Sequence, residues 1–106
     1  MSTNQVIDEM VRRIRGGFDP EKIILFGSFA RGTAGRDSDI DLLVVLSHVE
    51  NRRRSAIDIR RTLADLPVSK DIIVATPDDI ARNGDNVGSI LRPALREGKV
   101  LYERHP

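Results

Sequence analysis

Gly27 to Val45, GSFARGTAGRDSDIDLLVV, is the stretch that decides how this 106-residue chain folds. It begins where Lys22 to Phe26 (KIILF) ends, a short apolar run rich in isoleucine that reads as a buried strand. Ser28 to Arg31 contains helix-forming residues but is cut short by Gly32, and Thr33 to Ser38 (TAGRDS) is loop-like. Asp39 to Leu46 (DIDLLVVL) then reads as a second strand. A glycine-serine turn at one strand's end is thereby tied closely to an aspartate pair at the next strand's start.

Outward from this segment the chain alternates helices and strands. Val6, Ile7, Met10, Val11 and Ile14 recur at helical spacing behind the possible caps Ser2, Thr3 and Asn4, so a first amphipathic helix is predicted to end near Gly16-Gly17. From Val49 to about Asp65, Ala56, Ile57, Leu63 and Ala64 mark one stripe of a second long helix, and Pro67 blocks its continuation. Lys70 to Ala75 (KDIIVA) is a third strand, Pro77-Asp78-Asp79 can open a short helix, and Asn83 to Asn86 reads as a turn. Val87 to Glu97 is the last expected helix, in which Pro93 implies a kink or a late start; Gly98 stops it before a short strand at Val100 to Tyr102. The pattern predicts one small α/β (α+β) domain over residues 1–106. It should have a mixed sheet, helices packed on one face and an open acidic face on the other; strand order does not follow from it.

Composition narrows the function classes. The 17 basic and 16 acidic residues nearly cancel to a formal charge of +1, without the positive field of a nonspecific nucleic-acid binder. Arg52, Arg53, Arg54, Arg60 and Arg61 could meet an acidic partner, but a charged helix face is usually solvated, and no aromatics interleave to suggest RNA. With no cysteine, any metal must use oxygen or imidazole ligands, and His48 and His105 stand alone without ligand spacing. No apolar stretch approaches membrane-spanning length, so a soluble cytoplasmic protein is the expectation. A domain this small buries only about two thirds of its unfolded surface, which leaves room for a stabilising partner.

Asp39 and Asp41 carry the chemical signal. Two apart on a strand, they point to the same face with Cα atoms roughly 7 Å apart. Strands ordinarily exclude aspartate, and paired carboxylates repel unless a cation joins them. Magnesium held by carboxylates and substrate phosphates is one physical reason for the pair, and plain strand-end exposure is the other. Gly27-Ser28 would let backbone amides and the Ser28 hydroxyl face an anion, although a tight turn with a helix cap accounts for the same residues. Arg31 and Arg36 flank the loop and could meet phosphate, or be solvated; Ser38 is best explained by a local turn bond.

Taken in order, Gly-Ser (27–28), Ala-Arg-Gly (30–32) and Ser-Asp-Ile-Asp-Leu (38–42) resemble the signature of the DNA polymerase beta-like nucleotidyltransferase superfamily. The short chain, the strand carrying Asp71 and the ending Gly98 to Arg104 are similar to its minimal nucleotidyltransferase group, often encoded beside HEPN-domain toxins. The resemblance implies that Gly27 and Ser28 hold the triphosphate, and Arg31 joins them as a candidate phosphate contact on the residue reading alone. It implies that Asp39 and Asp41 bind magnesium, two ions being expected, with Asp71 as the third carboxylate. Asp78 and Asp79 compete for that third role but read more naturally as helix-opening acids. It further implies transfer of AMP from ATP to a protein hydroxyl, a tyrosine of a separately encoded HEPN-type toxin, and action as an antitoxin. A non-catalytic antitoxin that neutralises by binding, and transfer to a small molecule, are the alternatives.

Overall fold

The computed structural model describes residues 1–86 and 88–105, and the expected helices and strands are all present among them. Helix α1 runs Thr3–Phe18 and strand β1 Lys22–Phe26; α2, Ser28–Arg31, is a single turn. Strand β2 is Ile40–Val45, α3 Arg52–Thr62, β3 Lys70–Ala75, α4 Pro77–Asn83, α5 Leu91–Glu97 and β4 Lys99–Glu103. The strands form one sheet in the order β3-β2-β1-β4, with β2 and β3 parallel and the other neighbours antiparallel. The expected mixed sheet is therefore present.

Side-chain alternation along β2 divides the core in two. Ile40, Leu42 and Val44 face one way and join Val6, Met10 and Ile14 of α1 and Ile59 and Leu63 of the α3 region. Leu43 and Val45 face the other way, where Leu91 and Ala94 of α5 cover Ile24 and Phe26. Helices thus lie on both faces, which corrects the expected one-sided packing. The cause is Val45, Phe26 and Ala75: these strand residues are apolar on the second face too, and only α4 and α5 are available to cover them.

Local chemistry explains the boundaries. Ser2 accepts from the Gln5 N–H while the Gln5 side chain accepts from the Ser2 N–H, closing a capping box that starts α1. The helix runs through Gly16-Gly17 and stops at Asp19, whose φ of 46° is left-handed and whose carbonyl and carboxylate accept from Arg104. Asn51 caps α3 through the Arg54 N–H. The stripe expected there shifts: Ile59 and Leu63 are fully buried, whereas Ala64 is exposed, because the helix stops at Thr62 and Leu63 reaches the core from the following turn. Helix α5 starts late, at Leu91, which places Pro93 in its first turn, where no donor is lost; Val87 lies outside the described residues.

Arg12 and Arg13 donate to Glu9, and their guanidiniums hold its carboxyl at about 2, below the ordinary 4.5. A depressed carboxylate stabilises the fold above its unfolded value and loses that contribution as pH falls through the folded one. Urea midpoints are accordingly expected to drop between pH 4.5 and about 2, and Glu9→Gln to flatten that drop; an unchanged slope in the variant would contradict the assignment.

Candidate active site

The acidic residues gather at one end of the sheet. Asp41, the second residue of β2, stands opposite Phe26 of β1 and, on its other side, opposite Asp71 of β3. Because β2 and β3 run parallel in matched register, Asp41 and Asp71 share the face on which Leu43 and Ile73 lie. Asp41 is half-buried and the Asp71 side chain about half exposed, so the aspartate end of that face meets solvent in part. The acidic surface is thus one end of a face rather than a whole face. Asp39 precedes β2 by one residue, exposed, and its negative charge still acts on Asp41.

Gly27 is fitted to Asp41. Its φ of 73° and ψ of −155° lie in a region that essentially only glycine occupies. A Cβ at this position would stand 2.2 Å from Oδ2 of Asp41, so the missing side chain is what leaves room beside that carboxylate. Ser28 follows, half-buried, and opens α2, whose Arg31 N–H closes on the Gly27 carbonyl at 3.1 Å. Arg31 extends from α2 to an exposed ion pair with Glu97 of α5 at 3.6 Å, and its charge favours the ionised form of Asp41. Gly35 and Ser38 bond each other across the loop, as expected of a local turn, and Arg36 is exposed.

Burial pushes the Asp41 carboxyl above its usual range, and the charges of Asp71 and then Asp39 push the same way. A raised carboxyl costs stability once it ionises, so the penalty grows as pH rises through its folded value. Asp41→Asn is therefore expected to raise the thermal midpoint of the metal-free protein at neutral pH by a few degrees. Scanning calorimetry in a chelator checks this, and a lowered midpoint would contradict it.

Asp71 does not sit free beside the pair. Arg60 of α3 reaches round the β3 edge and donates to its Oδ1 at 2.9 Å, both groups about half exposed. Among the described residues no group of three His, Cys, Asp or Glu is placed to hold a metal ion. The carboxylates nonetheless fit a hard cation by donor chemistry: all are oxygen donors, burial and then mutual repulsion raise Asp41, and Gly27 leaves its Oδ2 approachable. Asp78 and Asp79 are excluded from this end; Asp79 caps α4 through Thr76 and pairs with Arg52. His48 and His105 are exposed.

The nucleotidyltransferase domain family matches residues 4–99. The chain belongs to that family. This nucleotidyltransferase is 31% identical over 111 residues to a protein of Methanocaldococcus jannaschii named as a protein adenylyltransferase, an alignment covering 95% of this chain and 72% of that one. Several solved structures share its fold, two of which bear on function. One is a toxin–antitoxin with AMP-PNP, at a TM-score of 0.64 and 22% identity, covering 98% of this chain and 76% of that one. The other is a tri-AMPylated Shewanella oneidensis HEPN toxin in complex with its MNT antitoxin, at 0.61 and 18%, covering 97% and 74%.

Sequence reasoning grouped Gly27, Asp41 and Asp71, and the structure places all three at one end of the sheet. It missed Arg60 as the partner of Asp71 and Glu97 as the partner of Arg31. Nothing local marks either one, since each pairing depends on how a helix packs against a sheet edge. No helix of the described residues is long and apolar enough to cross a membrane.

Proposed function

We propose that a single domain over residues 1–106 transfers AMP from ATP to a hydroxyl of a separately encoded HEPN-type toxin, a tyrosine by preference, and thereby acts as a cytoplasmic antitoxin. The observation that carries this is the placement of Asp41 and Asp71 in register on adjacent strands, with Gly27 just past the end of β1 and fitted against the Asp41 carboxylate. The 31%-identical relative named as a protein adenylyltransferase supports the acceptor class, and the two toxin–antitoxin structures of the same fold support the partner.

In this account Gly27 and Ser28 receive the triphosphate, where the absent side chain allows close backbone approach, and Arg31 neutralises part of its charge. Asp39 and Asp41, with Asp71 as the third carboxylate, would hold magnesium, two ions being expected. Bound there, it would neutralise the triphosphate and favour ionisation of the acceptor hydroxyl. The acceptor oxygen forms a bond to the α-phosphorus as the bond from that phosphorus to the α,β-bridging oxygen breaks. Pyrophosphate leaves with the electron pair, and the hydroxyl proton departs to solvent across the open acidic end. ATP labelled at the α-phosphate is expected to leave its label on the toxin, while γ-label is released with pyrophosphate. Retention of γ-label would replace nucleotidyl transfer with phosphoryl transfer.

One observation favours a second reading, a partner neutralised by binding alone: Asp71 is engaged by Arg60.

A further inference from the structure

The sheet order fixes the side from which an acceptor approaches. Gly27, Ser28 and Arg31 lie on the β1 side of Asp41, and Asp71 lies on the β3 side. In an in-line displacement the attacking oxygen and the leaving oxygen stand on opposite sides of the phosphorus. If the triphosphate tail rests on the β1 side, the acceptor must come in over β3.

On that side, and on the same face, the structure holds a cleft of about 570 Å³ between β3, α4 and the segment leading into α5. Ile73 lies two residues beyond Asp71 on that face, roughly 7 Å along the strand. Ile73, Ala75 and Leu91 give the cleft an apolar floor, and Asn83 and Ser89 add polar groups at its wall. Ile90 is 51% exposed at its mouth, one of three large apolar side chains left in water among the described residues. The second, Val100, is on β4 at the opposite edge of the sheet, and the third is the terminal Met1. An apolar floor beside the Asp79 carboxylate suits an apolar polypeptide segment better than a polyanion.

We infer that this cleft is the acceptor-docking site, and that it takes the polypeptide segment bearing the hydroxyl that receives AMP, with Ile90 as a specificity-determining contact. The inference rests on the proposed protein-directed transfer and extends it from the reacting atoms to the surface that selects the acceptor.

Ile90→Arg tests it, since an exposed position tolerates the change and a long cation at the mouth obstructs an apolar segment. The KM for the HEPN-type toxin is expected to rise about tenfold or more, an effect of the size found for central contacts. The Kd for ATP, measured on the same protein without toxin, is expected to stay at the wild-type value. An unchanged toxin KM while the wild type transfers normally would overturn the docking site and leave the proposed function standing. A weakened ATP Kd with an unchanged toxin KM would assign the cleft to the nucleotide base and overturn it as well. A wild type that modifies no toxin would remove the proposed function and the docking site together. A photo-crosslinking residue at position 90 guards against misfolding of the arginine variant. Its crosslink is expected close in sequence to the modified hydroxyl, and a crosslink on a remote surface of the toxin would contradict the assignment.

Discussion

Replacing Asp39 and Asp41 together with asparagine is expected to reduce AMP transfer on the order of a thousandfold or more while the protein stays folded and still binds its partner. Both side chains lie outside the two hydrophobic clusters, Asp39 exposed and Asp41 only half-buried, so the core does not depend on them. Their substitution removes negative charge from an end of the sheet where Asp41 is already raised by burial and by Asp71. The folded state therefore gains, if anything, while the oxygen donors that suit a hard cation are gone. Asparagine keeps shape and one carbonyl oxygen, which confines the loss to charge. Transfer is read as label on the toxin, and neutralisation as toxin activity in the same mixture. Loss of both places catalysis at the centre of the antitoxin effect; neutralisation retained without transfer would favour the binding reading that the Arg60–Asp71 pair supports.

Gly27→Ala is expected to act on the fold and the site at once. Alanine at a φ of 73° and ψ of −155° pays the cost of a backbone region it almost never occupies, about 1–3 kcal/mol. Its Cβ would also fall 2.2 Å from Oδ2 of Asp41, a contact that can be relieved only by moving the carboxylate or the turn. Either movement displaces the group proposed to hold the cation or the amides proposed to hold phosphate. The expected result is a lower urea midpoint with an unchanged slope, and transfer lost beyond what the unfolded fraction explains. A Gly32→Ala control separates the two effects: its φ of 76° is also left-handed, but nothing stands within 4 Å of its Cβ. That variant should lose stability and keep most of its transfer. Equal loss of transfer in both would show that strain in the turn, rather than the approach to Asp41, is what matters.

Much of this architecture was legible in the chain because its signals are local. β1 and β3 were bounded correctly by Gly27 and by the apolar run after Lys70, and α2 was closed by Gly32 where the helix-forming residues stop. The sheet's second covered face was not legible, since Ala75, Leu91 and Ala94 form a short and weakly apolar pattern that only the packed molecule assigns to a common cluster. Asp39 and Asp41 were singled out from spacing and residue type. Asp71 was singled out through resemblance, and its placement beside Asp41 became a fact of register once β2 and β3 paired in parallel. Its engagement by Arg60, and the cleft beyond it, depend on contacts between residues distant in sequence. A charged helix face read alone says only that it meets water; where α3 lies against the β3 edge decides that one of its arginines closes on the site.

The activity proposed for this site is transfer of a nucleoside monophosphate onto a protein. Intact-mass measurement of the co-encoded HEPN-type toxin, after incubation with the purified protein, ATP and magnesium, tests it most directly. The toxin is expected to gain whole AMP units with wild type, and none with Asp39→Asn/Asp41→Asn or with a chelator present. A toxin of unchanged mass, recovered in a tight and inactive complex with the wild-type protein, would contradict the claim and leave binding as the means of neutralisation.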